Sequence, residues 1–311
     1  MKINNPGLLP ILALIVSTIG ITSAGVFVIF SEVDATATLM LRMFLAGGIT
    51  SAIVTWSAEK GNITEGPNHN AGKGKMIALL VLSGIISTID LLSNHWALKM
   101  TSLANAAILM NLSPVFVALL SFLFMKEKIG TFKLFALTLT IAGACLLVFD
   151  GNASIAMTPK SMAGDLLAIN SALFYAIYLI FTKSLRDYFT SKKIIIWNSF
   201  TCAILLLPLA LATSQTILPS SPTGWAIIIL LALISQLLGH GLMAYALKHV
   251  DILLASISTL ARPVIAILFG FFIFDEKLAP LQWLGVVTVL IGIWWYKRPT
   301  TESRVVAQAK A

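Results

Sequence analysis

Long apolar stretches alternate with short polar connections along nearly the whole chain. Each stretch holds about 20 residues, the length that an α-helix needs to cross a hydrocarbon core of ~30 Å. The short connections leave no room for a further soluble domain. The pattern predicts an all-α integral membrane protein with ten membrane-spanning helices, at residues 8–30, 36–56, 76–98, 103–125, 131–149, 163–183, 194–213, 223–247, 252–274 and 280–297.

The second half of the chain repeats the first. A shift of 149 positions aligns identical residues without a gap: Ala97, Leu98 and Lys99 fall on Ala246, Leu247 and Lys248, Pro114 on Pro263, Glu127 on Glu276, and Gly143 on Gly292. Each copy holds five predicted spans, an odd number, so the second copy enters the membrane from the opposite side. We therefore expect two inverted five-helix repeats, at residues 1–150 and 151–298, followed by a cytoplasmic tail at 299–311.

The composition supports a membrane protein and sets its orientation. Hydrophobic residues make up 58% of the chain and charged residues only 11%, which excludes an ordinary soluble domain. The net charge of +8 comes from Lys and Arg in the connections, so it indicates topology rather than a nucleic-acid partner. With the N-terminus inside, fifteen basic residues lie on the inner side and three on the outer side. Both termini are therefore predicted to be cytoplasmic.

The sequence offers no support for enzyme chemistry. Its two cysteines, Cys145 and Cys202, lie inside apolar stretches without the spacing of a disulfide framework or a metal site. The chain lacks the Walker, H-E-x-x-H and G-x-S-x-G motifs of ATPases, zinc proteases and hydrolases. We expect no catalytic residues, no metal and no cofactor, and an ATP-driven pump is disfavoured.

Several short motifs resemble the drug/metabolite transporter superfamily and, within it, the EamA-type ten-helix carriers. They are the Arg-Met-Phe-Leu-Ala run at Arg42–Ala46, Asn111–Val115 in the fourth span and the helix-ending Lys126–Lys128. Their counterparts in the second repeat are Arg262–Val264 and Asp275–Lys277. The resemblance extends over nearly the whole chain.

The resemblance implies a central cavity and alternating access. The cavity would be lined mainly by spans 3, 4, 8 and 9, with contributions from spans 1 and 6. One departure affects the substrate, because many EamA-type members have Glu before the Pro of span 9, whereas this chain has Arg262. The charge preference of relatives therefore does not transfer directly to this chain.

Span 3 carries a polar face. Ser83, Ser87, Asp90 and Asn94 are spaced by four, three and four residues, so they lie on one side of a helix. A carboxylate at mid-membrane costs roughly 2.5–3.5 kcal/mol unless it is paired, protonated or solvated. Asp90 is therefore a candidate substrate-binding residue together with Ser87 and Asn94, the alternative being a structural ion pair.

Span 8 presents polar groups at matching positions. Gln236 is the repeat mate of Ser87, and Gly239 is the mate of Asp90. His240 lies one turn beyond Gln236, and its imidazole can change charge near neutral pH. We consider Gln236 and His240 candidate binding residues, the alternative being that they form hydrogen bonds to neighbouring helices, which would explain His240 equally well.

The two intramembrane cations suggest different roles. Arg42 is near the outer end of span 2 and near Glu32 and Asp34 in sequence, so a structural pairing or a snorkelling side chain is expected at least as much as contact with the substrate. Arg262 precedes Pro263, whose missing N–H interrupts the helix, so it is a candidate substrate-binding residue. Its partner could be Asp90 or an acidic group of the substrate, and the sequence does not decide between them.

Two prolines are candidate hinges. Pro114 in span 4 and Pro263 in span 9 are repeat mates, and Asn111 lies one turn before Pro114. In span 6, Tyr175 shares a face with Ser171. Asn111 and Tyr175 complete the set of candidate binding residues, with small-residue helix packing as the alternative for span 6.

These observations favour a multi-pass secondary transporter, with export as the favoured direction. The expected substrate is a small polar or zwitterionic metabolite, such as an amino acid or a derivative, moved across a bacterial inner membrane by alternating access. Asp90 would bind its ammonium group and Arg262 its carboxylate. Proton coupling through Asp90 or His240 and the oligomeric state stay open. The alternatives are multidrug efflux of lipophilic cations, a non-transporting assembly protein and an intramembrane enzyme.

Overall fold

The computed structural model describes residues 7–59, 73–101, 106, 109–125, 130–148, 159–274 and 280–297. These residues are helical with short turns and contain no strand. The first seven helices are α1 (Leu8–Ile29), α2 (Ala35–Glu59), α3 (Lys73–Met100), α4 (Ser113–Met125), α5 (Thr131–Val148), α6 (Pro159–Leu185) and α7 (Ser191–Thr213). The charged motifs at 126–128 and 275–277, the start of predicted span 4 and the tail at 299–311 lie outside the described residues.

The remaining helices change character along their length. Helix α8 joins an α-helical segment Pro222–Leu230, a π-helical segment Leu231–His240 and an α-helical segment Gly241–Ala246. Helix α9 joins Ile252–Ser258, a 3₁₀ turn Thr259–Ala261 and Arg262–Phe274. Helix α10 comprises Pro280–Lys297.

Helix length and composition bear out the membrane class. Within the described ranges, α1, α2, α3, α6, α7 and α8 are long and apolar enough to cross a bilayer. Helices α4, α5, α9 and α10 are also apolar but have shorter uninterrupted apolar segments. The molecule is therefore a multi-pass membrane protein, while the count of ten spans and the orientation of the termini stay predictions.

Polar side chains accept hydrogen bonds from backbone N–H groups where three helices begin. The hydroxyl of Thr190 accepts a bond from the N–H of Lys193 at the start of α7, and that of Ser221 accepts one from the N–H of Gly224 at the start of α8. Asp251 accepts the N–H of Leu253 in the same way before α9. These bonds satisfy N–H groups that the first turn of a helix leaves without an intrahelical partner.

The chain departs from α-helical geometry at repeat-related positions, just before α4 and within α9. Asn111 and Leu112 form a turn just before α4, and a shift of 149 places them within the 3₁₀ turn Thr259–Ala261. The N–H of Arg262 bonds to the carbonyl of Thr259, three residues back instead of four. A proline follows each break and removes the N–H that would continue the α-helical pattern.

Four helix pairs pack lengthwise and antiparallel: α1 with α8, α2 with α7, α3 with α6, and α5 with α10. Two contacts show the direction of packing at one end of the bundle. Thr101 at the end of α3 donates to Asp165 near the start of α6 at 2.6 Å. Asp34, just before α2, accepts the N–H of Gln215, just after α7, at 2.8 Å.

The α5–α10 contact is reciprocal. A Cβ added to Gly143 would lie 2.7 Å from the backbone nitrogen of Val289, and one added to Gly292 would lie 3.0 Å from that of Thr140. Gly143 and Gly292 are repeat mates, and so are Thr140 and Val289. Gly143 therefore contacts Val289, and its repeat mate Gly292 contacts Thr140, the repeat mate of Val289. A twofold axis between the two helices produces this pattern.

Polar bonds join the helices at the predicted cytoplasmic end. Lys133 in α5 forms an ion pair with Asp251 at 2.9 Å, and the Tyr296 hydroxyl in α10 donates to the same carboxylate at 3.1 Å. Burial acts to raise the pKa of Asp251, but the charge and hydrogen bond of Lys133 and the bonds from Leu253 and Tyr296 outweigh it. The pKa of this carboxyl is therefore held below its usual value.

Two further basic residues strengthen this end. Lys183 in α6 donates to the carbonyl of Val250 at 2.6 Å. Arg186, just beyond α6, donates to the carbonyl of Ala244 in α8 at 2.9 Å. These bonds satisfy carbonyls near the end of α8 and connect it to α6.

Candidate functional site

A cavity of about 730 Å³ lies between helices α1, α2, α3, α4, α6, α8 and α9. Its walls are mostly apolar and carry a few convergent polar and charged side chains, as small-molecule sites commonly do. The resemblance predicted lining by spans 3, 4, 8 and 9 with parts of 1 and 6, and each of these helices contributes. Helix α2 also contributes, through Arg42.

The cavity lies at mid-length of the helices, with His240 and Thr259 in the predicted cytoplasmic halves of theirs, and it extends toward the predicted outer end. Its lining includes Thr22 and Gly25 of α1 and Asn94 of α3. Helices α1 and α3 run outward in the predicted topology, and these residues come after the helix midpoints, in the outer halves. Toward the cytoplasmic end, large apolar side chains fill the interior, including the fully buried Leu247 and Ile257. These buried side chains pack closely on the predicted cytoplasmic side of the cavity.

Asp90 is positioned by helix α6. Its carboxylate lines the cavity and is only 9% exposed. The hydroxyl of Ser171 donates to one carboxylate oxygen, Oδ1, at 2.6 Å. This hydrogen bond fixes the rotamer of the side chain. Asp90 therefore presents an oriented acidic group to the cavity.

Arg262 is held by the same face of α6, one turn further along. Its guanidinium donates to the hydroxyl of Tyr175 and lies 4.7 Å from the centroid of the Tyr175 ring, a cation–π contact. No ion pair joins Arg262 to Asp90, both of which lie in the described part of the chain. Ser171 and Tyr175 thus hold the side chains of Asp90 and Arg262 on one cavity wall, without a direct salt bridge between Asp90 and Arg262.

Arg42 lacks the acidic partner that its sequence neighbourhood suggested. Glu32 instead accepts bonds from Ser220 and Ser221 in the turn before α8, and Asp34 accepts from the connection after α7. Among the described residues, the guanidinium of Arg42 makes a hydrogen bond to Gln236 in α8 alone, at a long 3.5 Å. The side chain therefore faces the cavity rather than the outer end of α2.

The π-helical part of α8 forms another side of the cavity. His240 lines the cavity and packs edge-on against Tyr178, with ring centroids 6.4 Å apart. Ser235 also lines it. A π-helical turn is wider than an α-helical turn, so neighbouring residues are redistributed around the helix axis. This local geometry was not readable from the sequence.

Two candidate residues lie behind the cavity wall. Ser87 is buried on the side of α3 that meets Cys202 of α7, and Gln236 is buried while contacting Arg42. These two residues are repeat mates, and neither lines the cavity. Residues spaced by three or four positions cover a wide arc of the helix surface. A residue at the edge of this arc can therefore contact a neighbouring helix instead of the cavity.

The other candidates are distributed around the cavity. Asn94 lines it and donates to the sulfur of Met110 at 3.3 Å, and Asn111 lines it from the turn before α4. Of the two candidate hinges, Pro263 lines the cavity and Pro114 is buried outside its lining. The sequence-based set therefore assembles around one cavity apart from Ser87, Gln236 and Pro114.

Small polar residues form the part of the site that the candidate set missed. Ser171, Ser235, Thr22 and Thr259 all line the cavity. In a membrane helix such residues also serve as packing contacts, so their position in the sequence carries little information about a ligand. Within the described ranges, no group of three or more His, Cys, Asp or Glu residues could hold a metal ion.

Comparison with known proteins adds to this geometry. A family model described as the EamA-like transporter family matches residues 8–149 and 162–297. An uncharacterized transporter of Archaeoglobus fulgidus is 24% identical over 85% of this chain and 88% of its own length. The pseudopaline exporter CntI of Pseudomonas aeruginosa is 23% identical over 70% of this chain and 73% of its own length.

A solved crystal structure has the same fold. It superimposes with a TM-score of 0.77 over 96% of this chain and 98% of its own chain. The sequences are 14% identical, so this similarity concerns the arrangement of the helices alone.

Proposed function

This chain belongs to the EamA-like transporter family, and from that premise we propose that it exports a small zwitterionic metabolite across the bacterial inner membrane. The protein is a multi-pass membrane transporter and not an enzyme, as the family and its relatives indicate. The substrate class, the direction of transport and the membrane are the parts that we propose.

The observation that carries the proposal is the arrangement of Asp90 and Arg262. They have opposite charges, line one cavity and are held by Ser171 and Tyr175 on successive turns of α6. No ion pair between them consumes these charges. A zwitterion offers an ammonium to Asp90 and a carboxylate to Arg262, and each pairing offsets the cost of an intramembrane charge.

Transport proceeds by alternating exposure of the cavity, in which two inverted halves rock against each other. The proposed halves are residues 1–150 and 151–298. The reciprocal α5–α10 contact and the paired breaks before Pro114 and Pro263 support them. The packing of α1 on α8 and of α6 on α3 also agrees with them, because each pair is the repeat image of the other. The two prolines act as hinges.

Export begins from a state opposite to the one in the structure. In this proposal the cavity, which extends toward the predicted outer end, is open on that side, and the Lys133–Asp251 ion pair stabilises closure of the predicted cytoplasmic end. Loading a substrate from the cytoplasm therefore requires this ion pair to open. The exporter named among the relatives agrees with the proposed direction. A proton on Asp90 or His240 would couple transport to the proton gradient.

Efflux of a lipophilic cation fits the cavity less well. Such a substrate would use Asp90, but Arg262 and Arg42 both line the same cavity and repel positive charge. An intramembrane enzyme and a non-transporting assembly protein do not fit the family assignment.

The test is flux of labelled zwitterions by the purified protein in liposomes, with a panel of neutral, acidic and basic amino acids and betaines. We expect flux of at least one zwitterion, and a loss of about tenfold or more in Asp90→Asn and in Arg262→Gln. Asp187→Asn and Lys192→Gln are controls, because both residues are exposed near the start of α7. Movement of lipophilic cations alone, or equal flux in all variants, would refute the proposal.

A further inference from the structure

The charges of the cavity do not balance for a simple zwitterion. Among the described residues that line it, Arg42 and Arg262 are cationic and Asp90 is the single carboxylate. A zwitterion bound between Asp90 and Arg262 leaves the charge of Arg42 without a counterpart. A buried guanidinium without an anion is costly, because desolvation removes its hydration and nothing replaces it.

Arg42 is built into the wall but is poorly bonded there. Its side chain is 7% exposed, and its Nε atom has no hydrogen-bond partner. Its contact with Gln236, at 3.5 Å, lies at the outer limit of a hydrogen bond. A guanidinium presents five N–H donors in a rigid fork that matches a carboxylate or phosphate. Within the described ranges Gln236 is the one hydrogen-bond partner of this guanidinium, so its Nε–H and other donors remain available to a ligand.

Ser235 supplies a second unpartnered group on the same cavity. It is 0% exposed, and its hydroxyl has no partner in the part of the chain that the structure describes. It directly precedes Gln236, the residue that Arg42 reaches, within the π-helical segment of α8. Buried hydroxyls are normally bonded, so an orphaned one on a cavity wall indicates a ligand or water.

Resting on the proposed function, we infer that Arg42 and Ser235 form a second anion subsite, and that the transported zwitterion carries a second acidic group. Asp90 binds the ammonium, Arg262 the first carboxylate and Arg42 the second acid, with Ser235 donating its hydroxyl to it. The substrate is then an acidic amino acid or a phosphorylated amino acid, with a net negative charge. The net negative charge of the substrate complements the cavity lining, in which two arginines face one aspartate.

Pairs of solutes that differ only in the second acidic group test this inference. Aspartate and asparagine, and glutamate and glutamine, differ by a carboxylate against an amide of nearly the same size. Phosphoserine and serine test a phosphate in the same position, so the pairs also distinguish the two acid types. Binding is measured by the thermal shift of the purified protein at increasing solute concentration.

We expect the acid member of at least one pair to bind about tenfold more tightly than its neutral partner. Arg42→Gln brings this ratio close to one, and Arg42→Lys retains part of it because the charge remains. Ser235→Ala lowers the ratio by about threefold without removing a charge, so it reports on the subsite even if Arg42→Gln fails to fold. Equal binding of acid and neutral members by the wild type, or an unchanged ratio in the foldable variants, overturns the inference.

Flux separates this inference from the proposed function. If acidic members bind with the expected ratio but no zwitterion crosses the membrane, the subsite stands and the transport proposal fails. If neutral zwitterions cross and acidic members have no advantage in binding, the transport proposal stands and the subsite is wrong.

Discussion

Lys133 and Asp251 form an ion pair of 2.9 Å that joins the start of α5 to the start of α9. A shift of 149 relates these positions to Gln282 and Ser102, neither of which carries a charge. The repeat therefore places an ion pair at the predicted cytoplasmic end without a charged equivalent at the other end. We propose that this asymmetry favours the conformation that is closed at the predicted cytoplasmic end.

Asp251→Asn should weaken that closure. Asparagine keeps the side-chain acceptor that begins α9, so the substitution removes the charge while preserving the cap. We expect a loss of about 1 kcal/mol in stability and faster labelling of a cysteine introduced at Ala246, a fully buried residue near this end. Lys192→Gln is the control. Unchanged labelling would show that the ion pair does not hold this end closed.

The same ion pair predicts a pH dependence. The pKa of Asp251 is lowered from its usual value of 3.8 in the folded protein. Its stabilising contribution is therefore fully present above that value and is lost as the pH falls through the lower, folded pKa. Melting temperatures of the wild type and Asp251→Asn should differ at neutral pH and converge in acid. A difference that persists in strong acid would assign the effect to something other than this titration.

Tyr175→Phe tests how Arg262 is positioned. The substitution removes the hydroxyl that accepts from the guanidinium but keeps the ring beneath it. We expect KM for the transported zwitterion to rise about tenfold or more, the effect of one lost hydrogen bond to a charged group. Tyr178→Phe is the matched control, a buried tyrosine of α6 outside the cavity lining. Equal changes in both variants would indicate general loosening of α6.

The helices and the repeat register were predictable because both depend on local information. The length of an apolar stretch identifies a membrane-spanning helix. The 149-residue shift aligns Gly143 with Gly292, and the structure places these glycines against Val289 and Thr140. Prolines marked the breaks before α4 and within α9 for the same reason, since a missing N–H is a property of the residue itself.

The lining of the cavity was only partly predictable, because it depends on which neighbour covers each helix face. Asp90 and Ser87 share a polar face of α3, yet one reaches the cavity and the other meets α7. The partner of Arg42 is Gln236, which is distant in sequence, rather than the nearby Glu32 or Asp34. Nothing in the sequence indicated the π-helical segment that brings Ser235 to the cavity.

The reciprocal α5–α10 contact gives a further prediction about stability. In Gly292→Ala, the new methyl group would lie 3.0 Å from the backbone nitrogen of Thr140 and closer still to its hydroxyl, so the helices must separate. We expect a loss of about 1–3 kcal/mol, the usual cost of overpacking, measured by thermal unfolding in detergent. Gly143→Ala should cost a similar amount because its Cβ would lie 2.7 Å from the backbone nitrogen of Val289.

Gly48→Ala is the matched control for both glycine variants. It lies within a helix, and a Cβ added there meets nothing within 4 Å. Alanine is the better helix former, so this substitution should be neutral or slightly stabilising. Thr140→Ala should recover part of the loss in Gly292→Ala, because it removes the nearest atom of the clash. If Gly292→Ala were as stable as Gly48→Ala, α5 and α10 could not be in the close contact that the proposed twofold relationship requires.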